Sequence, residues 1–177
     1  MILERKVILF IASSLDGYIA KPNDDLSFLS IAQKPGEDYG YNLFLQSIDT
    51  VILGRKTYDW VMSQVPVFPH VDKTTFVITR NSKTIIGNTH FYSGDLKELI
   101  VRLKSTSGKN IFLDGGAEIV NECLKLHIVD EIIISIIPIL LGVGVKLFSD
   151  GRPEQRLKLV SSKPFESGLV QLHYIRI

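Results

Sequence analysis

The sequence predicts an α/β fold: a mostly parallel central sheet with helices on both faces and an antiparallel hairpin at the C-terminal end. Three observations predict it. Short apolar runs alternate with amphipathic segments from residue 1 to about 137, the pattern of parallel strands joined by helical crossovers. The runs at 7–12, 51–53 and 110–113 have almost no polar side chains, as strands covered on both faces require. Two strand-like stretches, 157–163 and 169–177, then follow each other with only Pro164-Phe165-Glu166-Ser167-Gly168 between them, which reads as a hairpin.

With 177 residues the chain is expected to form one domain, 1–177, large enough for a full core. Lys and Arg number 20 against 19 Asp and Glu, a net charge of +1, so nothing pulls it generally toward nucleic acid or an anionic membrane. Any cationic site must be local. The single cysteine, Cys123, is expected to be a small core residue; it excludes an internal disulfide and fits a cytoplasmic setting. The stretch 132–145 contains Ser135 and Pro138 and is shorter than a membrane span needs. His70, His90, His127 and His173 lack ligand spacing, so no metal site is expected.

The first strand, 7–12, runs into Ser13-Ser14-Leu15-Asp16-Gly17-Tyr18-Ile19-Ala20. Its Asp-Gly pair suggests a backbone-bonding turn role for Asp16 more than a catalytic one, and the small Ala12 and Ala20 leave room for a flat ring. Residues 37–48 read as a helix, because Tyr41, Phe44, Leu45 and Ile48 recur at the spacing of a buried stripe. Asp38, three residues before Tyr41, would begin that stripe, either complementing the helix start or lining a cleft. The strand 51–53 stops at Gly54, and Arg55, Lys56 and Thr57 surround the helix start that follows. Exposed N–H groups with cations make this a natural phosphate position. The next strand, 74–79, ends in Arg80-Asn81-Ser82, a second cation with donors at a carboxyl end, where parallel sheets bind ligands. Were these strands neighbours, Arg55, Lys56, Thr79 and Arg80 would converge on one anion. Residues 89–92 form a short strand, and Asp95 caps a helix whose stripe is Leu96, Leu99, Ile100 and Leu103. The strand 110–113 ends in Asp114-Gly115-Gly116-Ala117-Glu118: paired glycines between a strand and a helix start, a third feature able to meet a phosphate. Neither G-x-G-x-x-G nor a Walker lysine is present. Residues 130–137 form the last strand before the hairpin.

Four stretches carry a resemblance: Ser14-Leu15-Asp16-Gly17-Tyr18-Ile19-Ala20, Val51-Ile52-Leu53-Gly54-Arg55-Lys56-Thr57-Tyr58, Leu113-Asp114-Gly115-Gly116-Ala117 and Pro138-Ile139-Leu140-Leu141-Gly142-Val143-Gly144. In this order they resemble the dihydrofolate reductase-like superfamily, and within it the reductase domain of bacterial riboflavin biosynthesis and its stand-alone relatives. The resemblance covers essentially the whole chain. It implies an NADPH-dependent reductase. Gly54, Arg55, Lys56 and Thr57 would bind cofactor phosphates, Thr79 and Arg80 the adenosine 2′-phosphate, and Gly115, Gly116 and Ala117 the pyrophosphate. Ala12, Ile19 and Ala20 would border the nicotinamide. On the substrate side, counting back from Gly54 places the family's protonating carboxylate at Asp38, whereas counting forward from the first turn gives Gln33; Asp38 is favoured because it sits on the regular helix. Tyr41 and Ser135, the latter approximating a family threonine, would stand nearby. The arginine that grips folate's glutamate tail is replaced near Lys73, a point charge without the bidentate fork. The reaction implied is hydride transfer to a C=N or C=O bond of a small heterocycle or sugar derivative. Alternatives are the aminopyrimidine reductase step of riboflavin synthesis, true dihydrofolate reduction, or a non-catalytic NADPH sensor. Relatives often form homodimers, and the segment after Pro138 or the terminal hairpin would supply an interface.

Overall fold

A computed structural model describes residues 4–81 and 83–177; Ser82, named above beside Arg80, lies outside them. An eight-stranded sheet runs through the molecule. Its strands are β1 (Val7–Ser14), β3 (Ile48–Gly54), β4 (Thr74–Ile78), β5 (Thr89–Tyr92), β6 (Asn110–Gly115), β7 (Glu131–Ile137), β9 (Leu157–Pro164) and β10 (Val170–Arg176), in the order β5-β4-β3-β6-β1-β7-β10-β9. The first six of that order are parallel, and β10 runs antiparallel to both β7 and β9. A separate antiparallel pair joins β2 (Tyr18–Ala20) to β8 (Val145–Lys146).

The central strands are apolar on both sides because both sides are covered. Val51, Ile52 and Leu53 are wholly buried. On one face α3 (Leu96–Lys104) and α4 (Ala117–Lys125) pack Ile100, Val120, Cys123 and Leu124 over Leu9, Ile111 and Leu113. On the other, α1 (Tyr41–Gln46) and α2 (Arg55–Gln64) bring Phe44 and Tyr58 against Ile8, Val51 and Phe112. A third cluster, Phe28, Ala32, Ile137 and Leu169, seats a 3₁₀ segment on the hairpin side of the sheet. Burial pushes the Cys123 thiol up to about 12, so it is an inert core group.

Two expectations are corrected here. The helix expected over 37–48 starts only at Tyr41, and Ile48 already belongs to β3. Tyr39 and Gly40 have left-handed backbones, φ 56° and 80°, which stop a helix from extending back through them. Residues 18–20 pair with β8, where Gly144 backs against the Ala20 carbonyl so closely that a Cβ would collide with it.

The pairing of β3 with β6 is interrupted twice. Ile48 pairs with Asn110 and Thr50 with Ile111, leaving Asp49 as the extra residue; Ile52 pairs with Leu113 and Leu53 with Gly115, leaving Asp114 as the extra one. A residue left over in a ladder is re-aimed out of regular alternation. At the amino end of the strands Asp49 meets the buried Arg5 guanidinium and accepts the Lys109 N–H at 2.8 Å. Arg5 also donates to the carbonyls of Lys109 (2.6 Å) and Leu103 (3.2 Å) and to the hydroxyls of Thr50 (2.7 Å) and Thr106 (3.1 Å). One side chain thus ties the lead-in to β1, the starts of β3 and β6, and the end of α3.

Candidate active site

A cavity of about 780 Å³ opens along the carboxyl ends of β4, β3, β6 and β1. Four adjacent strand ends span roughly 14 Å at the usual strand spacing. One end of the cavity is made by Ile78, Thr79 and Arg80 after β4, and by Gly54, Arg55, Lys56 and Thr57 at the β3–α2 turn. Gly116 and Ala117 at the β6–α4 turn form its middle. Phe10, Ile11 and Ala12 from β1, with Ile19 and Ala20 from β2, form the other end.

The β3–α2 and β6–α4 turns lie side by side because both carry glycine. A Cβ on Gly116 would stand 2.9 Å from the Thr57 hydroxyl, and one on Gly54 would stand 3.1 Å from Ile119. Neither α2 nor α4 has a side-chain cap at its start. Their first N–H groups therefore face the cavity as donors for an anion. Three cations stand around these starts. Arg55 Nε meets both oxygens of Asp59 at 2.7 Å, and its guanidinium lies 5.6 Å from the Phe91 ring centre. Lys56 reaches 3.2 Å across to Glu118 on α4. Arg80 is exposed and makes no ion pair among the described residues. These features suit the phosphates of a dinucleotide: donors, cations and glycine surfaces share one wall.

Of the three carboxylates that line this cavity, Asp24, Asp114 and Glu118, Asp114 is the one without an ion-pair partner that burial desolvates. Its bulged position at the end of β6 places it on the floor, between the glycine turn and Phe10 of neighbouring β1. Among the described residues it has no hydrogen-bond or ion-pair partner, and burial pushes its carboxyl up to about 6. The Tyr41 phenol lies within its field, and burial together with Asp114 raises that hydroxyl above its ordinary value. A carboxyl whose proton is held up to about 6, beside a place where a reacting group can sit, is suited to serve as an acid.

Asp38 lies elsewhere. It is exposed, lies outside the cavity lining and accepts the N–H groups of Gly40 at 2.9 Å and Asn42 at 3.0 Å. Those bonds hold its carboxyl below the usual range; the position serves the start of α1. Gln33 is likewise exposed. Ser135 is buried on β7 beneath Gln171, whose Nε2 donates to it at 3.2 Å, and it does not reach the cavity lining. Gly115 is buried within the turn, and Lys73 pairs with Asp72 at 2.8 Å away from the lining. Asp114, Trp60, Asp24, Leu26 and Leu29 line the cavity without having been singled out from the sequence. For Asp114 a signal existed: a carboxylate directly before paired glycines at the end of a central strand.

Asp16 ties the turn after β1 to the loop at 141–142. It accepts from the Ser14 hydroxyl at 2.5 Å and from the N–H groups of Leu141 (3.0 Å) and Gly142 (2.7 Å). These bonds lower its carboxyl to about 2, the backbone-bonding role its Asp-Gly context suggests. Among the described residues, no group of three or more His, Cys, Asp or Glu could hold a metal ion, and no helix is long and apolar enough to cross a membrane.

Sheet order and strand-end cavity together define a dihydrofolate reductase-like α/β protein. Enterococcus faecalis dihydrofolate reductase, solved with NADP(H), shares the fold at TM-score 0.66 and 18% identity, over 98% of this chain and 97% of that one. The family is narrower. The RibD C-terminal domain model matches residues 5–171, and the chain belongs to that family. It is 44% identical over 176 residues to the Bacillus subtilis protein YwjB, itself uncharacterised, covering 98% of this chain and 99% of the relative. A protein from Shewanella sp. PV-4, described as belonging to riboflavin biosynthesis, matches at TM-score 0.88 and 30% identity, with 97% and 99% covered.

Proposed function

We propose that the chain is an NADPH-dependent reductase that delivers hydride to a C=N or C=O bond of a small substrate, with Asp114 as the proton source. The observation that carries this reading is the cavity itself: two uncapped helix starts with cations at one end and a desolvated carboxyl on the floor toward the other. In this reading Gly54, Arg55, Lys56, Thr57, Gly116 and Ala117 hold the diphosphate, and Gly115 shapes the turn that lets it approach. Thr79 and Arg80 meet the 2′-phosphate. Ala12, Ile19 and Ala20 border the nicotinamide. When bound, NADPH supplies the hydride. The protein orients the acceptor against it and gives a proton from the Asp114 carboxyl to the nitrogen or oxygen that gains charge. Tyr41 stands outside the cavity lining, within the field of Asp114.

Family membership supports a second, narrower reading, the aminopyrimidine reductase step of riboflavin synthesis. Titrating the protein with NADPH while following cofactor fluorescence, then measuring oxidation with a panel of carbonyls and imines, tests both. The panel includes dihydrofolate and the riboflavin precursor. Saturable binding with turnover of a panel member is the expected result. Saturable binding without turnover across the whole panel would favour a sensor.

A further inference from the structure

The two ends of the cavity differ in charge. Lys56, Arg55 and Arg80 all stand at the β3–β4 end, where the first two already face carboxylates. The other end is walled by Phe10, Leu26 and Leu29 together with Ala12 and Ala20. Its charged groups among the described lining residues are both acids: Asp114 on the floor and Asp24 at the mouth. Asp24 is exposed, on a turn where its backbone takes φ 57°.

A phosphomonoester carries about −1.5 to −2 charge at neutral pH, and burying it against apolar walls without a cation is costly. Asp24, and Asp114 whenever it is ionised, add repulsion. A dinucleotide phosphate would meanwhile occupy all three cations at the far end. Resting on the reductase reading above, we infer that the substrate is an uncharged, unphosphorylated and largely apolar molecule with one hydrogen-bonding carbonyl or imine edge. The wall residues receive its apolar body, and Asp114 meets its polar edge. Discrimination against a phosphorylated analogue comes from the lack of any counter-charge on the walls, reinforced by Asp24.

The test uses matched pairs that differ only in a phosphate: a ribosylaminopyrimidine and its 5′-phosphate, and an aryl aldehyde and the same aldehyde carrying a phosphate ester. Each is titrated into the NADPH-loaded full chain, reading binding by cofactor fluorescence and turnover by loss of cofactor absorbance. The neutral member of at least one pair should bind or react at least tenfold better than its phosphorylated partner. Leu26→Arg should narrow that gap severalfold. Asp24→Asn should narrow it less, and asparagine tolerates the left-handed backbone at this position; NADPH affinity reports whether each variant stays folded. Equal or better use of the phosphorylated members, no response to any neutral member, or a gap that both variants leave unchanged would overturn the inference while leaving NADPH binding intact. Failure to bind NADPH at all would instead bring down the reductase reading on which it rests.

Discussion

Asp49 and Asp114 occupy the same kind of position at opposite ends of the same strand pair. Each is the surplus residue where β3 and β6 slip by one, and each is thereby pushed out of alternation. Their surroundings differ completely. Asp49 is met by a buried guanidinium and a backbone N–H, so its charge is matched and its role is mechanical. Asp114 faces apolar walls, and desolvation holds its proton to about pH 6. Position along the strand does not decide between scaffold and chemistry; the partners do.

Asp114→Asn tests this contrast most severely. It should reduce the hydride-transfer rate about 10²- to 10⁴-fold, the usual range for a lost general acid, with NADPH affinity little changed. In the wild type the rate should fall as pH rises through the Asp114 ionisation, and that limb should vanish in the variant. Stability should move the opposite way. A carboxyl whose pKa is raised by folding destabilises the folded state once pH exceeds its unfolded value. Asp114→Asn should therefore melt higher than wild type at pH 8 and alike at pH 4. A variant that keeps full rate would place the acid elsewhere.

Arg5→Met is the complementary break. Removing the guanidinium from its five partners should cost about 3 kcal/mol, a fall in Tm of roughly 6–12 °C, visible by calorimetry. The chemical step should be nearly unchanged while the protein is folded. A large loss of rate at a temperature where the variant is fully folded would couple the two ends. Arg80→Ala should weaken NADPH roughly ten- to hundredfold through the loss of a charge-assisted hydrogen bond, while NADH is barely affected; equal losses in parallel titrations would remove its 2′-phosphate role. Smallest of all, Asp38→Asn should change the rate less than twofold and lower Tm slightly, because its carboxylate serves the turn before α1.

The central strands and the glycine-bearing turns that line the cavity were legible in the sequence, and the reasons are local. Unbroken apolar runs mark strands covered on both faces, and glycine with cations directly after such a run marks a carboxyl-end turn. Arg55, Thr79, Arg80 and Gly116 come together in one cavity because β4, β3 and β6 are neighbours in the sheet. Three things were not legible. Asp38 shared the spacing of the α1 stripe, but left-handed backbone at Tyr39 and Gly40 ended the helix before reaching it. The slip that re-aims Asp114 depends on β3, a strand far upstream in the chain, and leaves no mark in the local pattern. Pairing of β2 with the two-residue β8 comes from the close approach of Gly144 to Ala20, a contact between distant segments.

The loop tie made by Asp16 separates two events in acid. Its contribution is fully present above the ordinary carboxylate value of 3.8 and disappears as pH falls through about 2, whereas Asp114 takes up its proton near 6. Between about pH 6 and pH 4 Asp114 changes its ionisation while the Asp16 tie stays in place. Mild acidification thus reaches the cavity carboxyl first, with the two loops still joined by a carboxylate that has not yet begun to let go.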